Sequence, residues 1–523
     1  MEKRRYPIGL QDFAKIREGN YIYVDKTQYV YDLASVPHPF FLSRPRRFGK
    51  SLFISTLKYY FSGRKDLFEG LAISELEKDW IEYPVFDITF ANGYLSTNES
   101  LKDYMDAMLK RLEATYDVTD IFPKFSDRLQ NLILKAHEVT GHKVVILIDE
   151  YDKPILDAIF IEDEEKNRSM LRDFYSPLKG MDQYIQFIFI TGITKISQLN
   201  IFSGLNQLDD ISMNRNYSSI CGISETELEK YFQTDIETLA AQRKLTFEKA
   251  KEKLAKMYDG YHFSLDSDGV YNPFCLIKCF NENFFGSYWF ETGVPSFLVK
   301  TLQHQPLFLS RLVGGCKVKE NDFKNYSPET KNMLPVIYQS GFLTIKDYDD
   351  DSDLYTLDFP NKEIEDGFLE VLVRKFVQFP EDNLGLAVSN MVYCLRAHDI
   401  DSVMKMVKTA IADLPTILKK DACENYYESV THLMFRVTGL DVTSELQTFL
   451  GRSDIIVRTE DAVFIFELKM DKGRPLEEVM EEALFQIDDK GYSDRYAVSG
   501  KKMFKIGVVF SSSGKGLLEW RIK

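Results

Sequence analysis

A short segment near the start of the chain, from Phe40 to Ser51, limits the fold more than any other stretch of the sequence. It reads FFLSRPRRFGKS and continues into LFISTLKYYF, so an apolar run leads into a basic loop ending in Gly-Lys-Ser and then into a helical pattern. A helix that begins at Ser51 has unpaired amide groups in its first turn and the positive end of its dipole beside them. Strand, loop and helix in this order predict a phosphate-binding loop.

Within this loop, Lys50 is expected to reach the β and γ phosphates of a nucleotide, and Ser51 to bind Mg²⁺. The segment departs from the GxxxxGK[ST] pattern because Arg44 occupies the position of the first glycine. That glycine eases a tight turn, so the loop is expected to turn differently here, with help from Pro45. Gly-Lys-Ser alone is a weak indication of nucleotide binding, and the prediction depends on a second motif.

The second motif is the segment KVVILIDEYDKP at residues 143–154. Its five consecutive apolar residues predict a strand buried on both faces of a sheet, and two carboxylates follow at the end of that strand. Chemistry on a parallel sheet collects at this edge, so Asp149 is expected to hold Mg²⁺ through water and Glu150 to polarise the attacking water. The alternative is a core strand that ends in a solvated acidic turn.

The first half of the chain alternates predicted strands with predicted helices. Strands are predicted at 84–90, 186–190 and 218–221, and helices at 101–113 and 125–139. This alternation indicates a mostly parallel α/β sheet. A strand inserted between the phosphate-loop strand and the strand of Asp149 is typical of P-loop ATPases that use a catalytic glutamate.

Further polar residues near this edge are candidates for reading or clamping phosphates. Thr191 directly follows a predicted strand and is expected beside the γ phosphate, although the hydroxyls of Thr191 and Thr194 could equally cap a helix or turn. Arg215 is a candidate arginine finger. This role would need a neighbouring subunit or domain, so an oligomer is possible. The arginines that could clamp phosphates, or simply be solvated, are Arg44, Arg46 and Arg47.

The C-terminal region carries a second constellation of charged residues. Residues 451–457 predict a turn that feeds a strand, and residues 463–469 predict a strand that ends in Glu-x-Lys. The spacing suits a hairpin that brings Asp454 and Glu467 side by side, and two converging carboxylates repel unless they share a divalent cation such as Mg²⁺. Period-two alternation places Lys469 on the face of Glu467, where it can orient or deprotonate water. The alternative is a hairpin with exposed charges and no chemistry.

Between these two regions the pattern is largely helical, from Ser224 to around Pro380. A capping box of Ser224 and Glu227 begins one of the helices. Residues 333–360 predict a helix, a strand, an acidic hairpin tip and a second strand, which is the outline of a winged-helix-like unit. The acidic tip would repel phosphates, so we favour a packing or lid role for this unit over DNA binding.

Several of these segments together resemble a bacterial family of AAA-ATPase-like proteins that carry a C-terminal PD-(D/E)XK nuclease domain. The motifs in the first half of the chain are YVDKT at 23–27, RPRRFGKS at 44–51, IDEYDKP at 148–154, ITGITKIS at 190–197, IFSGLN at 201–206 and YDGYHF at 258–263. An arginine in place of the first glycine is itself a characteristic feature of this family. The resemblance implies an ATP site with Mg²⁺, in which Arg46, Phe48 and Gly49 contact the nucleotide beside Lys50.

In the C-terminal region, Gly-Arg-x-Asp ending at Asp454 resembles the PD part of the nuclease pattern. The resemblance implies that Glu428, on the preceding helix, supports the metal and that Gln486 is the polar residue on the helix after the lysine. It also implies three regions: a P-loop domain at 1–222, a helical and winged-helix-like extension at 223–380, and a nuclease-like domain of restriction-endonuclease-like α/β fold at 381–523.

Composition limits the cellular compartment and the binding partners that the sequence predicts. The chain has 523 residues, enough for about two to four domains. Its net charge of −15 excludes a general polyanion binder, so a nucleic acid contact must be local. No secretory signal and no apolar run of roughly 20 residues is present, which indicates no membrane span. Six scattered cysteines without CxxC spacing favour reduced thiols in a cytoplasm, and Cys275 and Cys279 favour packing over metal binding.

The sequence therefore predicts an ATPase coupled to Mg²⁺-dependent cleavage of nucleic acid, with DNA favoured over RNA as the partner of the C-terminal domain. The alternative is a nucleotide-controlled switch or scaffold that binds ATP with negligible turnover and uses an inactive nuclease-like domain for binding. A phosphotransferase acting on a small molecule is disfavoured, because no substrate-pocket motif accompanies the loop.

Overall fold

A computed structural model describes residues 4–36, 38–119, 122–195, 201–202, 205, 208–290, 298, 316–326, 332–376, 384–411, 423–444, 454–489, 500–513 and 515–523. The chain divides into two compact units, one of residues 1–301 with 317–363 and the other of residues 302–316 with 364–523. Among the described helices, none combines the length and the apolar character needed to cross a lipid bilayer.

Up to residue 361, the helices are α1 (Phe13–Glu18), α2 (Thr27–Ala34), α3 (Lys50–Phe61), α4 (Ile73–Leu76), α5 (Asn98–Thr115), α6 (Phe125–Thr140), α7 (Lys153–Asp157), α8 (Asp163–Tyr175), α9 (Glu225–Arg243), α10 (Phe247–Tyr258), α11 (Pro273–Glu282), α12 (Glu320–Lys324) and α13 (Leu334–Gln339). The strands are β1 (Pro39–Ser43), β2 (Val85–Thr89), β3 (Val144–Asp149), β4 (Ile185–Gly192), β5 (Asp209–Asp210), β6 (Cys316–Val318), β7 (Thr344–Asp349) and β8 (Leu354–Asp358). From residue 362 onward, the helices are α14 (Lys362–Phe376), α15 (Leu384–Arg396), α16 (Ile400–Ile411), α17 (Cys423–Arg436) and α18 (Leu476–Asp489), and the strands are β9 (Asp441–Ser444), β10 (Asp454–Arg458), β11 (Ala462–Met470), β12 (Lys502–Phe510) and β13 (Leu517–Ile522).

The first unit is built on a five-stranded sheet with the order β2-β3-β4-β1-β5. Every neighbouring pair in it is parallel, and all six residues of β3 are buried, as expected for a strand covered on both faces. The predicted parallel α/β sheet is confirmed, and β4 lies between β1 and β3, the arrangement typical of ATPases with a catalytic glutamate. The expected strand at 218–221 is wrong: those residues form turns and bends, and the fifth strand is β5, which pairs with β1.

The extension after the sheet also follows the sequence pattern. Helix α9 begins with the predicted capping box, in which Ser224 Oγ accepts from Glu227 N at 3.3 Å and Glu227 Oε2 accepts from Ser224 N at 2.8 Å. The predicted helix, strand, acidic tip and strand are α13, β7, the turn at 350–353 and β8, and the two strands belong to a three-stranded sheet with the order β6-β8-β7. Residues 317–363 belong to the same compact unit as the parallel sheet, while the domain boundaries at 222 and 380 stay predictions.

The second unit contains a mixed five-stranded sheet with the order β13-β12-β11-β10-β9. Strands β11 and β12 run parallel, and the other neighbouring pairs are antiparallel. Helix α18 packs on β11 and β12, and its Ile487 forms a core cluster with Ile456, Val463 and Ile465 of the sheet. This arrangement confirms the predicted nuclease-like α/β class of the C-terminal region.

Gly507 on β12 lets α18 approach the sheet. A Cβ atom at this position would lie 2.8 Å from the Met480 sulfur, 3.3 Å from Leu484 Cγ and 3.4 Å from Ala483 Cβ. Gly507 is also the register partner of Glu467 on β11. The glycine therefore fixes the depth at which α18 lies over the residues of the predicted nuclease site.

We expect Gly507→Val to destabilise the protein by about 1–3 kcal/mol, because the branched side chain overpacks the contact between α18 and the sheet. Chemical denaturation of the full chain, followed by circular dichroism, measures this change in the free energy of unfolding. Gly180→Val is the matched control, since nothing lies within 4 Å of a Cβ atom there. Equal stability of the two variants would contradict the packing role of Gly507.

Candidate nucleotide site and candidate nuclease site

The phosphate loop turns at Arg47 and Gly49 rather than at the position of the missing glycine. Gly49 has φ 97° and precedes the first residue of α3, and Arg47 has φ 67° with its guanidinium 4.6 Å from the centre of the Phe274 ring. Nothing lies within 4 Å of a Cβ atom built on Gly49, so this residue is needed for its backbone conformation and for open space in front of the helix. The first turn of α3 is thereby left accessible to a phosphate.

Arg44, at the first-glycine position, is used inside the fold. Its side chain is 1% exposed, Nη1 donates to Ser212 O at 2.7 Å and Nη2 donates to Tyr217 O at 2.9 Å. The guanidinium also lies 4.0 Å from the centre of the Phe263 ring, and burial lowers the Arg44 pKa to about 10. Both terminal nitrogens of Arg44 thus bind backbone carbonyls on the segment after β5, which fixes the start of the loop, whereas Arg46 and Arg47 are exposed.

Lys50 is held by its own loop. Its ammonium donates to Arg44 O and to Pro45 O, both at 2.9 Å, and the residue is 5% exposed. Burial lowers the Lys50 pKa, while the nearby carboxylates of Glu150 and Asp149 act in the opposite direction. The lysine therefore stands between the loop carbonyls and the acidic end of β3. The Phe48 ring is buried against Tyr261, with the ring centres 4.7 Å apart, so only its backbone is available to a nucleotide.

The acidic end of β3 is tied to the end of β4. Thr191 Oγ1 donates to Asp149 Oδ1 at 2.6 Å, and both residues are buried. The next residue, Glu150, has φ 53° and is partly exposed. Burial raises the Glu150 pKa, assisted by Asp149 and opposed by Lys50. A partly buried carboxyl with a raised pKa is a stronger proton acceptor than an ordinary exposed glutamate.

A cavity of about 500 Å³ joins the predicted phosphate loop to Glu150. The lining includes the polar loop and its surroundings at Arg46, Arg47, Gly49, Lys50, Ser51, Glu150 and Lys153. It also includes the apolar residues Pro7, Ile8, Leu10, Pro273, Phe274 and Ile277. An adjoining apolar cavity of about 90 Å³ shares Pro7, Gly49, Leu52, Pro273 and Ile277 with it. The lining therefore contains both cationic groups that suit phosphates and apolar groups that suit a flat apolar ring.

Sequence reasoning missed Asp152, which is fully buried. Its Oδ2 accepts from the backbone N of Thr194 at 2.6 Å and from Thr194 Oγ1 at 2.8 Å, and both oxygens accept from Ile193 N. Gly192 has no room for a side chain, because a Cβ atom would lie 2.6 Å from the Tyr151 ring. The available signal was the spacing in IDEYD. An acidic residue three positions after Asp149 can reach the backbone at the end of the neighbouring strand.

The YVDKT segment is a packing element. Asp25 Oδ1 accepts from the backbone N of Thr27 at 2.9 Å, and Asp25 Oδ2 accepts from Ala72 N at 2.8 Å. The buried ammonium of Lys26 donates to both carboxylate oxygens of Glu227 at 2.6 and 2.7 Å. This ion pair connects the N-terminal segment to the capping box of α9. The predicted motif at 201–206 and the end of the one at 190–197 lie largely outside the described residues.

In the C-terminal sheet, the pairing register places Asp454 directly opposite Glu467. Glu467 is 2% exposed, and the Lys469 ammonium lies 3.1 Å from Glu467 Oε1. The same ammonium donates to Gln486 Oε1 on α18. The structure thus brings together the two strand residues of Glu-x-Lys and the glutamine on the following helix. The side chain of Asp454 and residues 451–453 lie outside the described part of the chain.

The buried end of this cluster suits a cation. Glu467 Oε2 and Gln486 Nε2 have no hydrogen-bond partner among the described residues, and a buried carboxylate oxygen without a donor is costly unless a cation or a donor meets it. Glu467 and the residue at position 454 are the oxygen ligands that Mg²⁺ prefers. Among the described side chains, which do not include that of Asp454, no group of three or more His, Cys, Asp or Glu residues is placed to hold a metal.

Glu428 lies on α17, which packs on the other face of the sheet. Phe435 of this helix contacts Phe466, with ring centres 4.6 Å apart, and Tyr427 stacks on Phe510 at 4.9 Å. Because side chains alternate along β11, Phe466 and Glu467 point to opposite faces. The role of Glu428 beside the metal stays a prediction. Cys275 and Cys279 are buried free thiols on α11.

The fold and the two sites define a class of protein: a P-loop ATPase-like sheet in one unit and a nuclease-like sheet with a buried Glu-x-Lys pair in the other. Residues 7–202 match the family model described as predicted AAA-ATPase, and residues 422–520 match the PD-(D/E)XK nuclease superfamily. The chain is also 34% identical, over 99% of its own length and 98% of the other, to a protein of Azotobacter chroococcum mcd 1 named "Uncharacterized protein in vnfD 5'region". The chain belongs to the family of predicted AAA-ATPases with a PD-(D/E)XK nuclease superfamily domain, which confirms the resemblance drawn from its motifs.

Proposed function

We propose that this protein hydrolyses ATP in its first unit and cleaves nucleic acid in its second, with nucleotide occupancy controlling cleavage. One observation carries the proposal: Lys50, Ser51 and Glu150 line a single cavity whose lining includes both polar and apolar residues. The buried pair of Glu467 and Lys469 supports the second activity. The two family matches support an ATPase and a nuclease in general terms. The coupling of the two activities is our inference from the presence of both domains on one chain.

In the nucleotide site, Lys50 and the amide groups of Gly49 and Ser51 would bind the β and γ phosphates. Ser51 and Asp149 would hold Mg²⁺, which offsets the charge of the phosphates. Thr191 fixes the orientation of Asp149, and Glu150 would take a proton from the attacking water. Arg46, exposed in the lining of the cavity, would contact the phosphate oxygens, and the apolar residues of the lining would receive the base.

In the nuclease site, Asp454 and Glu467 would hold Mg²⁺, which lowers the pKa of bound water and offsets charge on the phosphate. Lys469 is positioned by Gln486 and would orient the water. Deoxyribonucleic acid is the favoured substrate. The buried free thiols Cys221, Cys275 and Cys279 suit a reducing cytoplasm, where we place the protein.

One observation favours the alternative of a nucleotide-controlled switch. The Lys50 ammonium binds two loop carbonyls at 2.9 Å, so a bound phosphate must compete with these contacts, and such competition is a means of changing the loop without hydrolysis. A measurement of phosphate release from ATP distinguishes an ATPase from a nucleotide-controlled switch. A switch would bind ATP stoichiometrically and release no phosphate over many multiples of the protein concentration.

We expect Lys50→Ala to weaken ATP binding by about 10²-fold, because a charged hydrogen-bond donor to the phosphates is lost. Titration of the full chain with a fluorescent ATP analogue measures the dissociation constant. Lys58→Ala is the matched control on the same helix, since Lys58 forms a half-exposed ion pair with Asp87 at 2.9 Å. Unchanged affinity in Lys50→Ala would overturn the assignment of the phosphate loop.

A further inference from the structure

The end of α13 and the turn that follows it contact both segments that would respond to a bound nucleotide. Gln339 Oε1 accepts from the backbone N of Lys195 at 2.7 Å, and Lys195 follows Thr191 and Thr194 at the end of β4. Two residues later, Gly341 lies against Pro45 in the phosphate loop. Helix α13 leads directly into the hairpin of β7 and β8, so one short turn joins the two segments to that hairpin.

The contact made by Gln339 is buried and satisfied at both ends. The residue is 6% exposed, and its Nε2 donates to Lys324 O at 2.6 Å. Lys195 is also fixed through its side chain, whose ammonium lies 2.5 Å from Asp210 Oδ2 on β5. Any shift of residues 191–195 must therefore move Gln339 or leave a buried amide group unpaired, which is unfavourable.

The contact with the phosphate loop is as close as a glycine allows. Gly341 has φ 86°, and a Cβ atom there would lie 2.7 Å from both Cβ and Cγ of Pro45. The carbonyl of Pro45 is one of the two acceptors of the Lys50 ammonium. A phosphate bound by Lys50 therefore acts directly at the residue against which Gly341 lies.

The hairpin is tied back to the same region at its start. Thr344 Oγ1, at the first residue of β7, accepts from His262 N at 2.8 Å and donates to His262 O at 3.2 Å. Tyr261, the residue before, packs its ring on Phe48 of the phosphate loop. A change in the loop therefore reaches the hairpin from two sides, through Gly341 and through the segment at 261–262.

We propose that the turn at 339–341 couples the nucleotide site to the β7–β8 hairpin, with Gln339 as the positioning residue that transmits the state of residues 191–195. The proposal rests on the proposed nucleotide site and adds to it a regulated element outside the parallel sheet. A bound polyphosphate fixes the loop through backbone amides and the lysine, Pro45 then confines Gly341, and the hairpin becomes more rigid.

Hydrogen exchange of the full chain, with and without Mg²⁺ and a non-hydrolysable ATP analogue, tests this coupling. We expect the analogue to slow exchange in the phosphate loop and also in residues 334–358. In Gln339→Met the slowing at 334–358 is reduced while that in the loop is kept. Gln233→Met, on an exposed part of α9, is the matched control.

The outcomes separate the two proposals. If the analogue fails to slow exchange in the loop of the natural protein, the nucleotide site itself is wrong. If the loop is protected but residues 334–358 are unchanged in the natural protein, the coupling is wrong, and this result needs no variant to fold. Slowing at 334–358 in Gln339→Met that is as large as in the natural protein would also overturn the role of Gln339.

Discussion

Lys469→Ala is expected to abolish Mg²⁺-dependent nicking of supercoiled plasmid DNA, with a loss of rate of about 10²–10⁴-fold, the range for a group that handles the proton of the attacking water. The Lys469 ammonium lies 3.1 Å from Glu467 Oε1 and donates to Gln486 Oε1. Its removal takes away the cation beside a carboxylate that is 2% exposed. The water-orienting group and the charge balance of the site are lost together.

The assay compares the full chain and the variant with Mg²⁺ or Mn²⁺, with and without ATP, and with a chelator in place of the metal. Lys405→Ala is the control, because Lys405 is exposed on α16 in the same unit. Nicking that survives in Lys469→Ala would remove the lysine from the reaction. Absence of nicking by every protein, on plasmid and on single-stranded RNA, would favour the switch. A difference between the arms with and without ATP shows the coupling directly.

The sequence was sufficient where a function depends on neighbours along the chain. The phosphate loop, the buried strand before Asp149 and the Glu-x-Lys strand are local patterns, and apolar runs and turn residues specify them. The register of Asp454 and Glu467 also follows from local spacing, since a hairpin of fixed length sets which residues face each other. These parts of the fold were predicted at nearly their observed bounds.

The sequence was insufficient where a contact joins distant segments. The two terminal nitrogens of Arg44 bind the carbonyls of Ser212 and Tyr217, more than 160 positions away, and no periodicity marks such acceptors. Lys195 meets Gln339 across 144 positions. Asp152 was within a recognised motif, yet its buried partners directly after β4 depend on how two parallel strands are aligned. Backbone carbonyls carry no sequence signal, so an arginine or glutamine that binds them looks like a solvated residue.

The expected strand at 218–221 is an error of the opposite kind, because here a local pattern predicted an element that tertiary contacts do not form. Its apolar end is buried, and Ile220 and Cys221 are 1% and 3% exposed, but the segment runs as turns beside the phosphate loop, where Gly222 N donates to Phe48 O at 3.2 Å. A short buried stretch can be covered by a loop as well as by a sheet. The edge position beside β1 is instead taken by Asp209 and Asp210, which have no strand-like composition.

Glu150→Gln is expected to keep ATP binding and to lose hydrolysis by about 10²–10⁴-fold, because the amide has the shape of the carboxyl but cannot accept a proton from water. Burial raises the Glu150 pKa above the ordinary value of 4.5. The base works only as the carboxylate, so hydrolysis by the natural protein should decline on the acid side as the pH falls through this raised pKa. The decline therefore begins at a higher pH than an exposed glutamate would give.

Phosphate release measured across pH, together with ATP affinity from a separate titration, distinguishes a proton acceptor from a residue that only shapes the cavity. Loss of release at full affinity, with no acid-side inflection left in Glu150→Gln, is the result expected for the base. Glu138→Gln, at an exposed position on α6 beside Lys135, should keep both the rate and the inflection. If Glu150→Gln retains the rate, the proton must go to another acceptor at this end of the cavity. The buried Asp149 and Asp152 already accept hydrogen bonds from Thr191 and Thr194, so the loss of Glu150 leaves neither as a ready substitute.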